Sequence, residues 1–209
     1  MTPRPPQLYG IADADALGLA AVPAAVEAMA TAGVGWIQVR IKAAGEAERY
    51  RTVASCCRRL EGSDAALWMD DRVDLASMFP VAGVHVGQRD LPPDATRRVV
   101  GEGPWIGLSC HDERQVADAE ADPAVDVVAI GPIFPTRSKE RPDPVVGIEG
   151  LKRARRRTRK PLVAIGGIDQ GRLTEVLEAG ADSAVILGAL CRGPVEQNAR
   201  RLMAVVEAM

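Results

Sequence analysis

Eight short apolar segments alternate with amphipathic ones, and this pattern predicts an α/β fold, a single (β/α)8 TIM barrel. The apolar segments are rich in Val and Ile and nearly continuous, which is typical of parallel strands buried on both faces. The segments between them carry apolar residues three and four positions apart, which is the helical period. No linker or low-complexity stretch divides the chain, so the sequence predicts one domain over residues 1–209.

The predicted strands follow one another at the spacing that β/α units require. They are LYGIA (8–12), WIQVR (36–40), AALWM (65–69), AGVHV (82–86), WIGLS (105–109), DVVAI (126–130), PLVAI (161–165) and SAVIL (183–187). Gly33, Gly62 and Gly180 stand where intervening helices should end. An open doubly wound sheet is the alternative, but it usually has fewer strands and a G-x-G-x-x-G fingerprint, which this sequence lacks.

Composition excludes several functional classes. A net charge of -2 with 3% aromatic residues argues against nucleic acid, which requires a basic field and stacking platforms. No apolar run reaches the roughly 18 residues of a membrane span, and MTPRPPQ lacks the apolar core of a secretion signal. The sequence therefore predicts a cytoplasmic protein without a membrane partner. A homo-oligomer is compatible with it.

The cysteines and the one basic run have ordinary explanations. The four cysteines, Cys56, Cys57, Cys110 and Cys191, lack zinc-ligand spacing. The run KRARRRTRK, from Lys152 to Lys160, is predicted to be the solvated face and last turn of a helix, where cations suit the dipole. Contact with phosphate or RNA is the alternative interpretation of this run.

Polar residues follow seven of the eight predicted strands. A TIM barrel places its functional residues on the loops after its strands, so these residues should meet at one rim. In chain order they are Gln38, Arg40 and Lys42; Asp70 to Arg72; His85, Gln88 and Asp90; Ser109 to Asp112; Thr136, Ser138 and Lys139; Gly166 to Ile168; and Gly188 with Ala189.

The residue types at this rim indicate phosphate chemistry. Gly166, Gly167 and Gly188 could present backbone amides to an anion after strands seven and eight, although glycines also simply allow tight turns. Arg40 and Lys42 alternate along an extended chain and so point the same way, which favours a diphosphate between them over scattered surface charge.

Two carboxylates among these cations indicate a metal. Asp71 and Asp90 end adjacent strands, and Mg²⁺ takes one or two carboxylates together with phosphate oxygens. Salt bridges with Arg40 or Arg72 are the alternative role for them. No nucleophile–base pair is convincing, because the neighbours in SCHD face opposite sides of a strand. A leaving diphosphate therefore suits the site better than a Cys–His hydrolase.

Several motifs together are specific. WIQVRIK, DDRVDLA, GVHVGQRDLP, IGLS, GPIFPTRSK and VAIGGI, in this order, resemble thiamine-phosphate synthases over nearly the whole chain. The resemblance implies a (β/α)8 barrel that joins an aminopyrimidine-methyl diphosphate to a hydroxyethylthiazole phosphate, or its carboxylated form, and releases pyrophosphate with Mg²⁺ as cofactor. It also implies a dissociative reaction, in which the diphosphate leaves before the thiazole nitrogen attacks.

Site roles carry over from the resemblance position by position. Gln38, Arg40 and Lys42 would bind the pyrimidine diphosphate together with Asp70, Ser109 would lie against the pyrimidine, and Lys139 would hold the diphosphate. Asp71 and Asp90 would hold Mg²⁺. The thiazole phosphate would contact Thr136, Ser138 and the amides of Gly167 and Gly188.

Three positions depart from the family pattern, and two other functions compete. The family usually has Asn at Asp70, Thr at Ser138 and Ser at Gly188. A thiazole tautomerase of the same superfamily is one alternative, although such proteins tend to lose the diphosphate-binding cations and to carry His after strand six. A non-catalytic thiamine-precursor-binding protein is the other, and Asp70 and Gly188 are the features that would favour it.

Overall fold

Eight parallel strands close into a barrel in the computed structural model, which describes residues 5–136 and 143–209. The strands are β1 (Leu8–Asp13), β2 (Trp36–Arg40), β3 (Ala66–Asp70), β4 (Gly83–Val86), β5 (Trp105–Cys110), β6 (Val127–Ile130), β7 (Leu162–Ile165) and β8 (Ser183–Ile186). They pair in sequence order, and β8 closes the barrel against β1. The predicted TIM barrel is confirmed, with every strand end within one residue of its prediction.

Helices cover the outside of the barrel. They are α1 (Ala14–Leu17), α2 (Val22–Thr31), α3 (Glu46–Arg59), α4 (Val73–Met78), α5 (Pro93–Val100), α6 (Glu113–Ala121), α7 (Gly147–Arg155), α8 (Leu173–Glu178), α9 (Gly188–Cys191) and α10 (Val195–Glu207), with a 3-10 turn at Leu19–Ala21. Gly33, Gly62 and Gly180 follow α2, α3 and α8 with φ of 92°, 78° and 106°, as a helix stop of this kind requires. The predicted basic run places Lys152, Arg153 and Arg155 in the last turn of α7.

Aromatic side chains fill the amino-terminal end of the barrel interior. Trp36 and Trp68 have ring centroids 4.6 Å apart, and Tyr9 lies 5.5 Å from Trp36. A Cβ on Gly83 would lie 2.6 Å from the Trp68 ring, so the glycine makes room for the indole. This end is therefore packed solid, and the open end of the barrel is the carboxyl end of its strands.

In the part of the chain that the structure describes, no helix is long and apolar enough to cross a membrane.

Candidate active site

A cavity of about 480 Å³ opens at the carboxyl ends of the strands. Of the twelve residues to which the resemblance assigns a role, seven line it: Gln38, Arg40, Asp70, Ser109, Thr136, Gly167 and Gly188. Lys42 and Asp71 lie beside the cavity. Lys42 forms ion pairs with Asp71 and with Asp70, and Asp70 lines the cavity. The remaining two predicted residues of the sixth loop, Ser138 and Lys139, lie outside the described residues.

Both predicted diphosphate-binding cations already contact carboxylates. Arg40 Nη1 lies 2.5 Å from Asp13 Oδ1, and Arg40 Nε lies 3.8 Å from Asp70 Oδ2. Lys42 Nζ lies 2.7 Å from Asp70 Oδ2 and pairs with Asp71 as well. Burial alone would lower the pKa of Lys42, but Asp70 and Asp71 outweigh this effect and raise it. The side chains of Arg40 and Lys42 thus share one end of the cavity, as their alternation predicts, with Asp70 between them.

The two consecutive aspartates at the end of β3 are held in a compact turn. Asp70 is only 12% exposed, and burial raises its pKa, with Asp90 adding to the rise and Lys42 and Arg40 opposing it. Burial and then the charge of Asp70 raise the pKa of Asp71. Asp71 also has a φ of 56°, a left-handed conformation that non-glycine residues adopt rarely. Strained residues of this kind cluster at functional sites.

The aspartates at and beside this acidic end of the cavity supply the oxygen ligands that Mg²⁺ prefers, although neither Asp71 nor Asp90 lines it. Asp90, in the loop after β4, accepts a hydrogen bond from the Gly87 amide at 2.8 Å, and its charge contributes to the raised pKa values of Asp70 and Asp71. Among the described residues, no three His, Cys, Asp or Glu side chains converge as a preformed metal cluster. Mg²⁺ needs only one or two carboxylates when phosphate and water supply the other ligands, so Asp71 and Asp90 fit it.

An ion-pair network from α3 supports the loops that carry these residues. Arg49 is buried, with its Nε 3.3 Å from the Ile41 carbonyl and its Nη2 3.2 Å from the Lys42 carbonyl. Glu46 accepts hydrogen bonds from Arg49 at 2.5 Å and from Arg72 at 2.6 Å. The network therefore ties the backbone of Lys42 to the turn that contains Asp71.

A second wall of the cavity is made of neutral hydrogen-bonding groups. Gln38 Nε2 donates to the Tyr9 hydroxyl at 2.9 Å, and His85 Nε2 lies 2.8 Å from Ser109 Oγ. Gly107 neighbours His85 across the β4–β5 register, and a Cβ there would lie 2.4 Å from the imidazole. This wall presents side-chain donors and acceptors above the aromatic core.

The glycines predicted to bind phosphate line the cavity after β7 and β8, and β7 lies across the closed barrel from β3. Gly166 and Gly167 have φ of 101° and 66°, and a Cβ on Gly167 would lie 2.6 Å from the Pro135 carbonyl, so this turn packs directly on the loop of Thr136. Gly188 begins α9, whereas α8 begins only at Leu173, so just one of the glycines is at a helix start. Because α9 is a single turn, its backbone amides matter more than its dipole.

The structure adds residues that the sequence motifs did not single out. Asp13 is the last residue of β1, so the rule that polar residues at strand ends form the site applies to it as well. Arg172 and Arg192 line the cavity, as do Tyr9 and Asp143. Arg192 directly follows α9, which begins at Gly188. His111, which the sequence already placed at this rim, lines the cavity too, with its Nδ1 2.8 Å from the Gly131 carbonyl.

The geometry gives no support to a thiol nucleophile at SCHD. The Cys110 side chain is buried, and burial raises its pKa to about 12. Its Sγ lies 3.8 Å from the Leu108 carbonyl, and the neighbouring His111 uses its Nδ1 on a backbone carbonyl. A protonated thiol held in this way is a packing group.

Comparisons with known proteins identify the family of the chain. The family model for thiamine monophosphate synthase matches residues 8–190. The chain is 40% identical over 207 residues to the thiamine-phosphate synthase of Koribacter versatilis, covering 97% of both chains, and 38% identical to that of Halorhodospira halophila, covering 86% of both. It is 30% identical to a solved thiamine phosphate pyrophosphorylase from Pyrococcus furiosus, with a TM-score of 0.86 over 97% of this chain and 96% of that one. The chain therefore belongs to the thiamine monophosphate synthase family.

Proposed function

We propose that this enzyme transfers an aminopyrimidine-methyl group from its diphosphate to the ring nitrogen of hydroxyethylthiazole phosphate, giving thiamine phosphate and pyrophosphate. The observation that carries the proposal is the division of the cavity into two ends. Arg40, Lys42 and the aspartates occupy one end, and the glycine turns of β7 and β8 occupy the other. Two phosphorylated substrates could therefore bind with their organic parts facing each other.

The cationic end would receive the diphosphate. Arg40 and Lys42 would exchange part of their contact with Asp13, Asp70 and Asp71 for contact with phosphate oxygens. In the reaction the bond between the pyrimidine methylene and the diphosphate oxygen breaks, and the oxygen keeps the electron pair. Arg40 and Lys42, joined from the sixth loop by Lys139, would stabilise the negative charge that develops on this oxygen.

Mg²⁺ would be held by Asp71 and Asp90. Five carboxylates, those of Asp13, Asp15, Asp70, Asp71 and Asp90, lie near the two cations Arg40 and Lys42 at this end, and this excess of negative charge would repel a diphosphate on its own. When bound, the metal supplies positive charge to the phosphate oxygens as they leave. The donor set is thus consistent with a metal that arrives with the substrate.

The neutral wall would orient the pyrimidine. Gln38 and Ser109 offer hydrogen bonds to a heterocycle, and Tyr9 and His85 fix the two side chains in place. Departure of the diphosphate leaves a pyrimidine-methyl cation, which the thiazole nitrogen captures with its lone pair to form the new C–N bond. The Gln38 carboxamide and the Ser109 hydroxyl are weak nucleophiles, so they can face such a cation without competing strongly with the thiazole nitrogen.

The glycine end would hold the thiazole phosphate. The amides of Gly167 and Gly188 would bind it there, and Thr136, which also lines the cavity, would add a hydroxyl. Ser138 would add a hydroxyl from the sixth loop. Anchoring the phosphate at this distance from the cations would aim the ring nitrogen at the pyrimidine methylene.

A thiazole tautomerase remains the second candidate, because His111 lines the cavity beside Gly131 at the start of the sixth loop. Against it stand Arg40 and Lys42, which an isomerase of a monophosphate does not need. The test is to incubate the purified protein with both substrates and Mg²⁺ and to measure thiamine phosphate and pyrophosphate. Stoichiometric formation of both supports the synthase, whereas isomerisation of thiazole carboxylate phosphate alone would support the tautomerase.

A further inference from the structure

Arg192 lies beside a position at which this chain lacks a side chain. It follows α9 directly and lines the cavity with Gly188 and Ala189. The atoms nearest to where a Cβ on Gly188 would stand belong to its guanidinium, with Nη2 at 3.8 Å and Cζ at 4.0 Å. The family that this sequence resembles usually has Ser at the position of Gly188. The guanidinium of Arg192 thus reaches the space that a serine hydroxyl would approach.

The backbone of Arg192 is held by a hydrogen bond, whereas its guanidinium has no hydrogen-bond or ion-pair partner among the described residues. Asn198 Nδ2 donates to the carbonyls of Leu190 at 3.1 Å and of Arg192 at 2.9 Å, which anchors the end of α9 on α10. Within residues 5–136 and 143–209, no carboxylate or carbonyl accepts a bond from the Arg192 guanidinium. Arg172, the other arginine at this end, donates to the Gly167 carbonyl at 2.7 Å and stacks on Phe134.

We propose that Arg192 is a direct ligand of the phosphate monoester of the thiazole substrate and replaces the hydroxyl that is missing at Gly188. This inference rests on the proposed function. A guanidinium can bind two phosphate oxygens at once through its planar fork, which a hydroxyl cannot do. Gly188 contributes by leaving the space between its backbone amide and the guanidinium open. The phosphate then meets an amide from one side and the cation from the other.

The inference predicts a change confined to one substrate. Arg192→Ala should raise the KM for thiazole phosphate and its Kd in a calorimetric titration by about 10- to 100-fold, the range for losing hydrogen bonds to a charged group. The KM for the pyrimidine diphosphate should change little. Arg192→Lys should recover part of the loss. Arg201→Ala, which removes an exposed arginine of α10 away from the cavity, is the matched control and should leave both constants unchanged.

A double variant tests the replacement itself. A Cβ on Gly188 has open space, so Gly188→Ser in the Arg192→Ala background should fit and should restore thiazole phosphate binding in part. Unchanged KM and Kd in Arg192→Ala, or an equal loss for both substrates, would overturn the inference. The titration needs no turnover. A wild-type protein that binds thiazole phosphate through Arg192 without making thiamine phosphate would refute the proposed function and leave this inference standing.

Discussion

Lys42 Nζ lies 2.7 Å from Asp70 Oδ2, so a cation proposed to bind the diphosphate is already paired with a carboxylate. The family that this sequence resembles usually has Asn at the position of Asp70. An ionised Asp only accepts hydrogen bonds, whereas an Asn can also donate one to a phosphate oxygen. Asp70 therefore competes with the diphosphate for Lys42 and cannot donate a hydrogen bond to the diphosphate.

The first prediction is that Asp70→Asn makes the enzyme bind the pyrimidine diphosphate substrate more tightly. The variant keeps the side-chain shape, removes one negative charge and leaves Lys42 with Asp71 as partner. The KM for that substrate at fixed Mg²⁺ should fall about fivefold, the factor that corresponds to ~1 kcal/mol for a partly exposed ion pair. Steady-state kinetics with saturating thiazole phosphate measure it.

Asp15→Asn is the matched control for this prediction. Asp15 lies 3.2 Å from Arg40 but is 52% exposed, so solvent screens it and its removal should leave the KM nearly unchanged. If Asp70→Asn instead weakens binding or stops turnover, then Asp70 has a specialised role in this enzyme, such as a share in holding the metal.

The second prediction concerns the metal. Activity should disappear with a chelator and return with Mg²⁺, because the acidic end carries more carboxylates than cations. Asp90→Asn keeps an oxygen that can accept from the Gly87 amide but loses the charge, so it should lower turnover on the order of 10² while the thermal unfolding midpoint stays close to wild type. Asp94→Asn, at an exposed surface ion pair with Arg98, is the control. Full activity of Asp90→Asn without added Mg²⁺ would refute the assignment.

The barrel and the position of its site were predictable from sequence for a simple reason. Strand ends in this fold point to one rim, so the residues after WIQVR and AALWM had to meet, and Arg40, Lys42 and Asp70 do meet. The apolar runs also predict the strand ends to within one residue, since a nearly continuous apolar run ends where the buried strand ends.

Partnerships between distant loops were not predictable in this way. Nothing in the sequence pairs Arg40 with Asp13, because that contact depends on the β1–β2 register. Gly107 looks like any glycine until the register sets it beside His85. Arg192 lies outside the family motifs and follows α9 with an extended backbone, so its approach to Gly188 could not be inferred from them.

The third prediction uses the cysteines. Burial raises the pKa of both Cys56 and Cys110 to about 12, so their thiols stay protonated at about pH 8 and should react slowly with a thiol reagent. The half-buried Cys57 should react first, and denaturant should make all four thiols reactive. Rapid modification of native Cys110 with loss of activity, prevented by substrate, would restore the Cys–His alternative.

The fourth prediction concerns Arg49, which positions Lys42 through its backbone. Arg49→Gln should cost about 1.5–3 kcal/mol of unfolding free energy, since a buried charged donor loses its carbonyl partners. It should also raise the KM for the pyrimidine diphosphate and leave that for thiazole phosphate unchanged. Arg51→Gln, an exposed change on the same helix, is the control. Destabilisation with equal effects on both substrates would mean that Arg49 supports the fold only.

The last prediction tests whether the contact between His85 and Ser109 in the neutral wall positions the pyrimidine. In Gly107→Ala the new methyl would lie 2.4 Å from His85 Nδ1, so the imidazole must move and its 2.8 Å contact with Ser109 must be lost. We expect a destabilisation of about 1–3 kcal/mol from overpacking and a clear loss in kcat/KM for the pyrimidine diphosphate. Gly103→Ala, in the loop before β5, meets nothing within 4 Å and removes the same backbone freedom from the unfolded chain. The difference between the two variants therefore isolates the clash. Wild-type kinetics in Gly107→Ala would show that the contact between His85 and Ser109 does not position the pyrimidine.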